Sequence, residues 1–309
     1  MSVKDIDSIR VSGHQANVDS FAACLRGIMA YWERDIPYDC ILGLSGVAFS
    51  PALDPEQPCP GLWMEVGSEI RMTFLGHALG FTVNPVLRTS DRGLTERVQR
   101  GMENGAVVLC RSGPCWGVVT QWHEHPPERE LTAPEGAEEL QCYCPGSPHY
   151  LLRPTRRSLS SCEALRSALG FAALIASTDS GREAPAFGGR FYEAWSEKLN
   201  HETFCPNCRE EWRCAARMAS RARGNQRAAI HFLNRAYDFL PPGARHESLR
   251  DAACTFAAMA NLLAPYTGEE LRSVWNNPDE RKLYVHDVQR VVELHRDAAR
   301  HLMRVTHAG

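Results

Sequence analysis

The hydrophobic period of this chain changes twice, and that change limits the fold classes open to it. After Asp19-Ser20, apolar residues fall at Phe21, Leu25, Ile28 and Trp32, the spacing of one buried helix face. Residues 64–79 repeat it, with Ile70, Phe74, His77 and Ala78 near one face and Gly80 placed to stop the helix. A short helix is expected over 95–102. From Ala106 the pattern becomes that of strands, predicted at 106–110, 116–122, 140–144 and 171–176, with a helix over 160–169 between the last two. Pro51 to Gly61, with four prolines, and the acidic, Pro-rich run 123–139 read as loops. Residues 178–190, TDSGREAPAFGGR, read as a linker. Beyond it the period is helical again, with helices expected over 191–199, 205–223, 226–240, 245–263, 269–275 and 279–303. Helices followed by an antiparallel sheet make an α+β domain over 1–177. Residues 191–309 then form an all-α helical bundle, within the ordinary size of a domain.

The 309 residues are 44% hydrophobic and 23% charged, an ordinary globular composition. A net charge of −3 argues against a nucleic-acid surface. No apolar run approaches the ~20 residues that cross a bilayer. The opening MSVKDIDSIR lacks the apolar core of a signal peptide, so a cytoplasmic protein is expected. There the twelve cysteines are read as reduced thiols, whether buried, metal-binding or reactive.

The stretch 13–49 carries the first candidate site. Asn17, Asp19 and Ser20 are all good N-cap types. Ser20 is therefore expected at a helix N-terminus, where free backbone N–H groups and the helix dipole favour negative charge. It is either a helix cap or a nucleophile. Cys24 lies one turn on, on the same side, and is the nucleophile candidate if the helix starts later. Gly43-Leu44-Ser45-Gly46-Val47-Ala48-Phe49 follows as a tight turn.

These residues resemble the start of papain-like and C39-like cysteine peptidases, and more closely the butirosin-biosynthesis-H-like proteins. In those a polar run leads to a nucleophilic Cys at the start of a buried helix, and a Gly-Leu-Ser-Gly-x-Ala-Phe turn follows. The nucleophile position here is Ser20. Phe191-Tyr-Glu-Ala-Trp195 and Arg227-Ala-Ala-Ile-His-Phe-Leu233 resemble the family's helical C-terminal part. The resemblance implies a papain-like N-terminal domain and acyl transfer from a carrier thioester to an amine, or the related hydrolysis. It further implies an oxyanion donor at Gln15. The family's base, a His opening a central strand, falls on Cys115 or Trp116, and its partner on Cys144. His123 and His149 are the remaining histidines near those elements.

Two thiol groups stand apart from that frame. Cys142 and Cys144, at i and i+2, share a strand face and are read as a packing pair, a soft-metal site or a redox pair. Cys205-Pro-Asn-Cys208 is expected at a helix start, where thiol pKa is depressed. With Cys214 and His201 it offers four ligands, enough for tetrahedral zinc. On one continuous helix Cys208 and Cys214 stand about 120° apart, so a break or another ligand is required. Metal, redox dithiol and plain burial stay open. The leading functional expectation is an acyl-transfer or amide-cleaving enzyme of specialised metabolism, acting on a small-molecule or carrier-protein-bound acyl substrate. The alternative is a non-catalytic relative that binds a small molecule, a metal or a carrier protein between the two domains. A thiol-rich metal-binding protein is the third.

Overall fold

The computed structural model describes residues 19–50, 69–86, 91–112, 115–122, 129–132, 149–156, 159–177, 186–201, 204–205, 209–242 and 247–307. The chain divides into two compact units, Met1–Ile41 with Gly67–Ser160, and Leu42–Val66 with Ser161–Gly309. The class is α+β: helices with one antiparallel sheet in the first unit, then a helical C-terminal region.

In the first unit, α1 (Ser20–Tyr31) begins at the N-cap Asp19 and buries Phe21, Leu25 and Ile28. The chain continues into α2 (Tyr38–Leu44), which crosses the division between the units. Then come α3 (Glu69–Leu79), β1 (Phe81–Val86), α4 (Asp91–Glu103), β2 (Val107–Ser112), β3 (Cys115–Trp122), β4 (Arg129–Thr132) and β5 (His149–Pro154). Among the described residues the five strands form one sheet in the order β1-β5-β2-β3-β4. Every pairing is antiparallel, with Phe81 opposite Pro154, Cys110 opposite both His149 and Gly117, and Val118 opposite Thr132.

Side chains alternate across a strand, so each sheet face has its own cover. Trp116 packs edge-on against Phe21 of α1, with centroids 5.4 Å apart, and lies 5.9 Å from Tyr150. The other face carries Val86, Val108, Cys110 and Val119, closed by Leu94, Val98 and Met102 of α4. Arg34 ties the ends together. Its guanidinium donates to the carbonyls of Leu79, Gly80 and Thr155 at 2.6, 2.7 and 2.9 Å, satisfying carbonyls at the end of α3 that have no partner within the helix.

The second unit contains α5 (Ser161–Ser177), α6 (Gly188–Asn200), α7 (Glu211–Phe239), α8 (Glu247–Leu263), a short 3-10 turn (Ala264–Tyr266), α9 (Leu271–Asn276) and α10 (Pro278–His307). Helices α7 and α10 each pack against α8, and α10 also packs against α5 and α6. The turn after α2 is built into this unit. Phe49 is fully buried between Phe232 and Phe256, with centroids 5.8 and 5.7 Å away. Its carbonyl lies 2.8 Å from His295 Nε2, and the Ser50 hydroxyl accepts from the Gly188 N–H at 2.7 Å.

Several sequence expectations need correction. Residues 171–176, expected as a strand, continue α5. Leu165, Ala168, Leu169, Ala172, Ala173 and Ala176 are all buried at three- and four-residue spacing, and Ala is the best helix former. The two helices expected over 205–223 and 226–240 are one helix beginning at Glu211. Gly224 is only a modest penalty inside it, about 1 kcal/mol relative to Ala. Strands β1 and β5 were not anticipated, and β4 lies within the run expected to be a loop. The strand expected at 140–144 and most of the linker lie outside the described residues.

Candidate functional site

Helix α1 and strand β3 meet at Ser20, Cys24 and the backbone of Trp116. Asp19, not Ser20, caps the helix: its backbone is extended and its carboxylate accepts from the Ala22 N–H at 2.9 Å. Asp19 is itself held by its own N–H, which donates to the Tyr38 hydroxyl at 2.7 Å. With the cap supplied by its neighbour, the Ser20 hydroxyl turns to the sheet and accepts the Trp116 N–H at 2.9 Å. One helical turn on, the Cys24 thiol donates to the Trp116 carbonyl at 3.3 Å. Both main-chain polar groups of Trp116 are thus satisfied by residues four apart on one helix face. Ser20 is 5% exposed and Cys24 fully buried.

A buried charge stands beside this junction. Arg71 of α3 is 4% exposed, and its pKa is lowered to about 10, chiefly by desolvation and partly offset by the charge of Asp19. The carboxylate at the head of α1 therefore has two tasks: it caps the helix and it faces a guanidinium removed from water. Sequence reading named Asp19 only as one of three cap types and did not register Arg71, because a lone Arg in a helical run carries no signal of burial.

The remaining expected site residues are distributed as follows. His149 opens β5 and is 2% exposed. It pairs in register with Cys110, whose side chain belongs to the cluster under α4. Trp116 is adjacent to Gly117, the partner of Cys110, so alternation puts the Trp116 and His149 side chains on opposite faces of the sheet. His149 is therefore not brought to the Ser20 side, and a role as base there is not supported by this arrangement. Cys115 is the first residue of β3, opposite Ser112. Gln15, His123, Cys142 and Cys144 lie outside the described residues.

In the second unit, Cys205 does not open a helix. Cys205 precedes α7 by several residues, and its N–H donates to Glu211 Oε1 at 3.0 Å. Cys205 and Cys214 are 1% and 2% exposed, the burial usual for free thiols. His201 is exposed at the end of α6, with its carbonyl taken by Arg281, and Cys208 lies outside the described residues. Among the described residues no group of three or more His, Cys, Asp or Glu is placed to hold a metal ion.

Sequence reading also missed the polar centre of the helical unit. His295 is fully buried against Tyr192 and Phe256, with centroids 5.5 and 6.4 Å away. The Tyr192 hydroxyl accepts from Gln226 Nε2 at 3.1 Å, and burial pushes its pKa well above the usual value. A lone His in a helical pattern gives no sign of this. A scan against protein-family models and a search of curated proteins both find no match to the chain. No helix among the described residues is long and apolar enough to cross a membrane.

Proposed function

We propose that this protein is a non-catalytic relative of the butirosin-H-like acyltransferases, with a papain-like first unit, that binds an acyl group without forming a covalent bond to it. The Ser20 contact carries the reading. An acyl-transfer nucleophile needs a lone pair free to attack and a base to take its proton. The Ser20 hydroxyl has one of its two lone pairs engaged by a main-chain N–H from β3 and is 5% exposed, which leaves a substrate carbonyl little access to it. Cys24 uses its S–H on the carbonyl of the same residue. Both side chains thereby act as fasteners between helix and strand.

Acyl transfer through Ser20 is the second reading. It is favoured by one observation: Ser20 is the first residue of a buried helix and lies against the start of β3, the place a nucleophile occupies in such a frame.

Incubation of the full chain with hexanoyl-N-acetylcysteamine, followed by intact mass measurement and equilibrium titration, separates the two. The proposal expects saturable, reversible binding and no mass increase. A hexanoyl adduct that disappears in Ser20→Ala would establish the second reading instead. Neither binding nor adduct would overturn both.

A further inference from the structure

On the α4 side of the sheet, an open groove of about 200 Å³ runs between α4 and the β1/β5 edge. Arg97 and Arg100 stand on one wall, and Arg153 of β5 stands on the other. Asn104 also lines it, and Pro85, Val86 and Leu151 supply apolar lining. Among the described residues three arginines line the groove and no Asp or Glu does, in a chain whose net charge is −3. Among the described residues neither Arg100 nor Arg153 enters an ion pair through its side chain. Like charges held together around a concavity repel one another unless an anion sits between them.

The groove is also preformed. Gly101 brings α4 down onto β5 so closely that a β-carbon there would lie 2.6 Å from Leu151 Cδ2. Leu94 and Val98 on the same helix are locked into the core beneath. The arginine stems are thus fixed at their bases, which reduces the ordering entropy that binding must overcome.

We infer that this groove binds a small phosphate monoester, with the phosphate between Arg100 and Arg153 and its organic part against Pro85, Val86 and Leu151. Guanidinium groups bind phosphate through paired, charge-assisted hydrogen bonds. The volume suits a phosphate with a short apolar body and is below the usual size of a pocket for a larger ligand. The site lies on the face of the sheet opposite Trp116 and Ser20, so it stands independently of the acyl-binding reading.

Titration calorimetry with inorganic phosphate and phenyl phosphate at fixed ionic strength tests it. Saturable binding is expected, tighter for phenyl phosphate. Arg100→Gln and Arg153→Gln should each weaken it by about tenfold, the loss of one charge-assisted contact. Arg26→Gln, an exposed arginine of α1, should leave it unchanged. These substitutions are on the surface, and unchanged melting confirms the fold. The inference is overturned if no saturable binding occurs, if the groove variants bind as wild type does, or if Arg26→Gln loses as much as they do.

Discussion

Gly43 lies directly against the ring of Phe232: a β-carbon on Gly43 would fall 2.1 Å from Phe232 Cδ2 and 2.8 Å from its Cβ. Gly43 is helical, in the last turn of α2, so it is needed there for close approach rather than for a turn. Gly46 meets a different demand, with φ at +77° and the tip of Ile175 2.9 Å from a would-be β-carbon. Gly43→Ala should therefore destabilise by about 1–3 kcal/mol through overpacking. Gly46→Ala should cost about 1–2 kcal/mol through left-handed backbone strain. Urea unfolding measures both. A Gly43→Ala variant as stable as wild type would show that the Phe232 ring moves aside freely.

The Trp116 clamp has an energetic signature. Ser20→Ala leaves a buried N–H without its acceptor and should cost about 1–3 kcal/mol. Cys24→Ala removes the donor to the carbonyl of the same residue. Because the two share one partner, their effects should not add: the double variant should differ from the sum by about 0.5 kcal/mol or more. Simple additivity in a denaturation cycle would mean that the helix–strand junction is not held cooperatively by these two contacts.

Asp19 allows cap and charge to be separated. Asp19→Asn retains a good cap but removes the anion facing Arg71. Asp19→Ala removes both and should cost more than about 2 kcal/mol, beyond the usual loss of a cap. The sign with pH follows from Arg71, whose pKa in the folded protein, about 10, lies below its ordinary value. The penalty for burying its charge is present in full well below pH 10 and is relieved as pH rises above that value. Asp19→Asn should therefore be destabilising at pH 7, where the guanidinium is charged. Equal urea midpoints for Asp19→Asn and wild type at pH 7 would show that the carboxylate does not offset that buried charge.

The sequence by itself determined the elements whose pattern is long and unambiguous. The helix beginning at 20, the strands over 107–112 and 115–122 and the helical C-terminal region all follow from the spacing of their own apolar residues, because a repeated period specifies which face must leave water. It could not specify what that face meets. Phe171–Ala176 is apolar throughout, and such a run is equally a buried strand or the end of a buried helix until neighbouring helices supply the surroundings. Tertiary structure alone decided that Asp19 rather than Ser20 caps α1, because Trp116, 96 residues away, takes up the Ser20 hydroxyl. It likewise set Phe49 against His295, 246 residues on, and placed His149 on the face of the sheet away from Trp116. Hydrogen bonds between residues so far apart leave no trace in local spacing. They form only once packing has removed both groups from water, where an unmet donor or acceptor is costly.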